Sequence, residues 1–153
     1  MNNKILHIIM GAIGTGKSTL AEILSTKYKI EVLSADSIEK QMNEKGVFND
    51  NEIDGDIIEC FYWYLDKNTS FILDGLNLSR KSRNYYINEA IKKGFQIYIY
   101  DLGPGNDDSL QRRLKNPRNV PTERWINIAK SNKESYEKPM KNEEKITKLF
   151  TMY

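Results

Sequence analysis

Cysteine occurs once in the 153 residues, at Cys60, and histidine once, at His7. One thiol excludes an internal disulfide and a cysteine-built zinc site, and it fits a reducing interior. Cys60 falls in an apolar stretch and reads as a small core residue of a helix. His7 falls inside the apolar run Lys4 to Met10 (KILHIIM) and reads as a core or strand-end histidine rather than a catalytic one. No run approaches the ~18 apolar residues of a membrane span, and the opening MNNKILHIIMG lacks the length and cleavage region of a signal peptide. No membrane partner is therefore expected, and the cytoplasm is the expected location. Internal repeats, low-complexity tracts and linkers are also missing, so residues 1–153 are expected to form a single domain, long enough to bury about two-thirds of its surface.

Charge is balanced overall but not along the chain. Seven Lys/Arg stand against twelve Asp/Glu before residue 80, and sixteen against nine from there on. Many of the later lysines read as a solvated face. The five cations from Arg112 to Arg124, opposed only by Glu123, are the exception.

What is present begins at Gly11. Residues Gly11, Ala12, Ile13, Gly14, Thr15, Gly16, Lys17 and Ser18 spell G-x-x-x-x-G-K-S, followed by Thr19. In this pattern glycines turn successive N–H groups onto phosphate oxygens, the lysine reaches the β/γ oxygens and the serine hydroxyl holds Mg²⁺. An apolar strand precedes the loop and a helical stretch, Ser18 to Tyr28, follows it. That is the context the motif requires, so ATP and Mg²⁺ are expected ligands.

Strand and helix patterns then alternate. Ile30 to Ser34, Ser70 to Asp74 and Phe95 to Tyr100 read as strands, and Ser37 to Lys45, Ile57 to Lys67 and Arg80 to Lys93 as helices. Val47 to Asp56 reads as a polar loop, and Tyr62, Trp63 and Tyr64 as core packing. Ser79 is placed to cap the helix at Arg80, and Gly94 to close it. A short basic helix, Asp107 to Lys115, a loop to Pro121 and a further helix, Thr122 to Glu137, complete the order, with an edge strand in Ile146 to Tyr153. The expected fold is an α/β P-loop NTPase of kinase type, a three-layer sandwich on a parallel sheet of four or five strands with a helical lid at about 104–121.

The loop alone does not separate kinases from other NTPases. A GTPase needs a base-reading N-K-x-D after a strand, whereas Phe95 to Tyr100 is followed by DLGPG. A small phosphotransferase needs a nucleotide grip, a carboxylate for the attacking hydroxyl and cations on the moving phosphoryl group. Asp36, just past the second strand, supplies the carboxylate; its other role would be to cap the next helix, which Ser34 or Ser37 could do instead. Asp74 either holds Mg²⁺ with Ser18 or fixes the Asp74 to Asn77 turn. Arg113 and Arg118 are the expected phosphate clamp, Arg112 an additional nucleotide contact, and Arg124 a surface residue.

With these residues in place, the chain resembles the polynucleotide kinase-like branch of small P-loop kinases. The carriers are Gly14 to Thr19, Asp36, the D-x-x-N-L-S-R-K-x-R segment Asp74 to Arg83, and the arginine-bearing segment before Val120-Pro121. The resemblance implies transfer of the ATP γ-phosphate to a hydroxyl, chiefly the 5′-OH of a DNA or RNA end, with Asp36 as general base. One position departs from the family: an arginine that grips the acceptor phosphate is replaced by Glu39. Lys40, Arg80 or Arg83 are the available substitutes. A nucleoside, nucleotide or other small hydroxyl metabolite, or a base-carried hydroxyl in DNA, is the alternative acceptor. A nucleotide-binding regulator without turnover is a rival of another class. No fused phosphatase and no obligate protein partner are expected.

Overall fold

The computed structural model describes residues 3–153. Its five strands form one parallel sheet: β1 (Ile5–Met10), β2 (Glu31–Ser34), β3 (Phe71–Asp74), β4 (Gln96–Asp101) and β5 (Lys148–Thr151), in the order β2-β3-β1-β4-β5. Among the described residues there are six helices: α1 (Lys17–Tyr28), α2 (Ala35–Glu44), α3 (Asp50–Asp66), α4 (Arg80–Lys92), α5 (Asp107–Lys115) and α6 (Thr122–Ser135). The expected edge strand is thus present, paired parallel to β4 from Tyr98↔Lys148 to Asp101↔Thr151.

β1 is apolar on both faces because it lies mid-sheet between β3 and β4. Leu6, Ile8 and Met10 face one core with Phe61, Leu65, Phe71 and Ile87, while Ile9 joins Ala21, Leu24 and Ile72 in the other. His7 is buried: its Nδ1 lies 2.8 Å from the Tyr100 hydroxyl, and Tyr28 stacks on its ring. Burial lowers its pKa to about 4, so the ring is neutral in the fold.

Two sequence expectations fail here. The stretch expected as a loop at Val47 to Asp56 is helical from Asp50. Asn49 caps it by accepting from the N–H groups of Asn51 and Glu52, Asp50 and Glu52 lie at its positive end, and buried Ile53 extends the apolar stripe of Ile57, Phe61 and Leu65 back by one turn. Tyr62 and Tyr64 pack against the core as expected, but Trp63 points outward with the Lys67 ammonium 4.6 Å from its ring centre.

Candidate active site

The C-terminal ends of β1, β3 and β4 carry the phosphate loop and the loops beside it. Gly14 (φ 71) and Gly16 (φ 96) adopt left-handed backbone. Gly14 is constrained twice, because a Cβ there would lie 2.0 Å from the Ser109 carbonyl oxygen of α5. Lys17 opens α1 and its Nζ donates to the Ala12 carbonyl at 3.1 Å, as does the Thr15 hydroxyl at 2.7 Å.

The N–H groups of the first three loop residues are taken up within the protein. The Gly11 N–H donates to the Leu76 carbonyl, that of Ala12 to the Gly103 carbonyl, and that of Ile13 to Asn132 Oδ1, each at 3.0 Å. Gly11, Ala12 and Ile13 therefore shape the loop. No acceptor among the described residues takes the N–H of Gly14, Thr15 or Gly16, and the α1 N-terminus follows directly.

Around Lys17 the structure brings together Asp36, Asp74, Arg113 and Arg118. Burial lowers the Lys17 pKa; Asp74 and Asp36 oppose that shift, and Arg113 and Arg118 reinforce it. Asp36 lies in the first turn of α2, and Ser34 caps that helix through the Ser37 N–H, which leaves the Asp36 carboxylate free of capping. Asp36 Oδ2 instead accepts from Arg118 Nη1 at 3.1 Å, both side chains being about half exposed or more (66% and 48%). Arg118 and Asn119 both have positive φ, 52° and 62°, in the bend between α5 and α6. Arg113 stacks on Trp125 with its guanidinium carbon 5.1 Å from the ring centre, and its Nε is shut off from water with no partner among the described residues. Arg112 reaches the loop on its backbone, Nε donating to the Gly14 carbonyl at 2.8 Å.

Asp74 is buried at the end of β3, and among the described residues its carboxylate accepts no hydrogen bond; desolvation raises its pKa, and Lys17 opposes the rise. It does not fix the Asp74 to Asn77 turn. Asn77 does so, its Nδ2 donating to the Ile9 carbonyl at 2.9 Å. Ser18 and Asp74 line the same groove, and a carboxylate that accepts no hydrogen bond among the described residues, together with a hydroxyl, is a hard-oxygen donor set that fits Mg²⁺.

Several residues here carry no local signal in the sequence. Asn132 sits in α6, 119 positions from the N–H it accepts. Asp101, fully buried, accepts from the Gly103 N–H at 2.9 Å and the Tyr136 hydroxyl at 2.6 Å, which holds the loop whose carbonyl supports Ala12. Of the expected acceptor-side substitutes, Arg83 is excluded. It is fully buried, paired to Glu144 at 2.8 Å, and donates to the carbonyls of Asn77, Leu78 and Glu137. Arg80 lies beside Glu137 and Glu143, at 4.0 and 3.9 Å. The Asp74 to Arg83 motif is thus largely a staple, in which Arg83 grips the backbone of the turn that Asn77 ties to β1.

At the mouth beside Asp36, Glu39 has its pKa raised by burial and by Asp36, Asp50 and Asp54, with Arg124 of α6 opposing. Arg124 is exposed, as expected of a surface residue, and its charge is felt at Glu39.

A sequence model of the family described as an AAA domain matches residues 6–134. Adenylate kinase of Mesomycoplasma hyopneumoniae is 29% identical over 112 residues, 64% of this chain and 52% of that enzyme, so the chain spans about half the length of the curated relatives it matches. The fold is shared with Chaetomium thermophilum Kti12 in complex with ADP-AlF3 (TM-score 0.69, 19% identity, 96% of this chain and 88% of that one). It is also shared with the Mycobacterium tuberculosis APS kinase CysC in complex with AMPPNP and APS (TM-score 0.69, 15% identity, 99% and 90%). The five-stranded parallel sheet and phosphate loop make a P-loop kinase fold, and the chain belongs to this AAA-domain family.

Proposed function

We propose that the protein is an ATP-dependent phosphotransferase that moves the γ-phosphate to a hydroxyl. The observation that carries this is the charge constellation on Lys17: two carboxylates, Asp36 and Asp74, and two guanidinium groups, Arg113 and Arg118, all act on one part-buried ammonium beside the phosphate loop. A nucleotide-binding regulator has no use for a carboxylate at the loop's mouth.

The N–H groups of Gly14, Thr15 and Gly16 and the α1 N-terminus hold the phosphates, and Lys17 bridges to the β and γ oxygens. Ser18 and Asp74 would hold Mg²⁺, which supplies neutralisation of charge developing on the β–γ bridge. Asp36 orients the acceptor hydroxyl and takes its proton as the acceptor oxygen bonds to the γ-phosphorus and the bond to the bridging oxygen breaks, leaving ADP. Arg113 presents an unpaired donor for the phosphoryl oxygens, and Arg118 leaves Asp36 for them. The 104–121 segment acts as the lid.

For the acceptor, the resemblance to polynucleotide kinase-like enzymes and the cation-rich later half of the chain support the 5′-OH of a DNA or RNA end. A second reading, a small hydroxyl compound, is favoured by the mouth itself, where the charges of Asp36, Asp50 and Asp54 act on Glu39 against Arg124 and this acidic excess disfavours a phosphate-bearing strand.

Labelled ATP with Mg²⁺ and a panel of 5′-OH oligonucleotides, nucleosides and sugars tests the reaction. Transfer to one class, lost in Lys17→Ala and slowed about 100-fold or more in Asp36→Asn with ATP binding retained, is the expected outcome. Full turnover in Asp36→Asn removes that residue as the base.

A further inference from the structure

A groove of about 570 Å³ runs from the phosphate loop along α1, floored by β2 and closed by α2 and α3. At one end lie Ser18 and Asp74, the metal-side residues; at the other lie Cys60 and Tyr64. Its volume falls within the roughly 300–1,000 Å³ of small-ligand sites.

The lining is uneven in chemistry. Its uncharged polar groups come from two helices: Thr26 of α1 and Ser37 and Gln41 of α2 offer a hydroxyl, a hydroxyl and an amide, none with a side-chain hydrogen bond among the described residues. Ser25 and Ser34 are already engaged, with the Ile30 carbonyl and the Ser37 N–H respectively. Val32, Ile38 and the Tyr64 ring supply apolar lining. No lysine or arginine lines the groove among the described residues, and its charged residues are Glu22 and Asp74. A strand of nucleic acid needs cations for its phosphates, and this groove supplies none.

We propose that this groove binds the phosphate acceptor and that the acceptor is an uncharged, hydroxyl-rich small molecule of sugar or nucleoside size. Its reacting hydroxyl lies at the Ser18–Asp74 end, within reach of Asp36. Its other hydroxyls bond Thr26, Ser37 and Gln41, and its apolar face packs on Tyr64. This rests on the phosphotransfer reading and narrows its acceptor.

Cys60 makes the groove testable apart from turnover, because it is the single thiol of the chain and lines the far end. With an ATP analogue and Mg²⁺ bound, iodoacetamide alkylation of Cys60 at mildly alkaline pH is followed by mass spectrometry against uncharged sugars, polyols, nucleosides and 5′-OH oligonucleotides. Label transfer from ATP to the same panel runs in parallel. The expected result is that at least one uncharged compound both receives label and slows alkylation. Gln41→Trp and Thr26→Trp, each filling the groove from an exposed helix position, then raise its KM about tenfold or more with the KM for ATP unchanged. Transfer to oligonucleotide ends with unaltered Cys60 alkylation overturns the proposal, as does transfer to a small compound that neither tryptophan affects. If nothing receives label, the phosphotransfer reading fails; protection of Cys60 by an uncharged compound then still supports the groove as its site, and lack of protection overturns it too.

Discussion

The nucleotide side and the acceptor side of this site are built by different means. The nucleotide side is held by buried polar contacts of long sequence separation: Asn132 on Ile13, Gly103 on Ala12, Asn77 on Ile9 and Asp101 on Tyr136. The acceptor side is held by one half-exposed ion pair, Arg118 to Asp36, in front of a groove with unengaged hydroxyls. Such pairs contribute about 0–1 kcal/mol, whereas unmaking a buried polar contact costs about 1–3. The difference suits the proposed chemistry, in which the triphosphate grip is the same in every turnover while the carboxylate would exchange one partner for another.

That comparison can be broken or sharpened by substitution. Gly14→Ala has the largest expected effect: its Cβ meets the Ser109 carbonyl in a backbone region closed to alanine, so nucleotide affinity should fall by about 100-fold or more, measured by titration with an ATP analogue. Arg83→Met leaves Glu144 as an unpaired buried charge and should lower unfolding free energy by about 3–5 kcal/mol in urea. The double variant with Glu144→Leu should recover only part of it, the cost of the unpaired charge, because the Asn77, Leu78 and Glu137 carbonyls lose the Arg83 donor in both variants; no recovery at all would show that the charge pair is not what the single variant breaks.

His7 sets an acid limit. Its pKa is about 4 in the fold against about 6.5 in the unfolded chain, so below pH 6.5 the unfolded state binds the extra proton first. Stability is then full above that pH and falls by up to about 3 kcal/mol as pH drops toward 4, and urea midpoints across this range in the wild type and His7→Leu should differ in slope. Arg118→Ala should change stability least, by under about 1 kcal/mol, while slowing turnover; a large loss of stability would show that the acceptor side is as firmly built as the other.

Much of the frame was legible because its signals are local. The β1 run, the Gly14 and Gly16 turns and the Ser79 cap each act within a few residues, and each stands where expected. The start of α3 was obscured because Asp50 to Asp56 is polar enough to pass for a loop, although Asn49 and the Ile53, Ile57, Phe61 spacing carried the helix. Arg83 looked like a substrate cation because a sequence does not show that Glu144, 61 positions away, waits for it. Asn132 was invisible for the same reason. The groove proposed for the acceptor was illegible because its lining comes from five elements, and its serines and its one threonine are ordinary residues of α1, β2 and α2.

The central place of β1 has a consequence for how the molecule assembles. Its two neighbours begin at Phe71 and Gln96, and the carbonyl and amide groups that hold its loop arrive at Gly103 and Asn132. Parallel pairing of this kind depends on contacts distant in sequence and slows folding. A partly folded chain that has made its first strand and helix lacks the walls of its phosphate loop, so ATP should speed refolding little and act mainly by slowing unfolding.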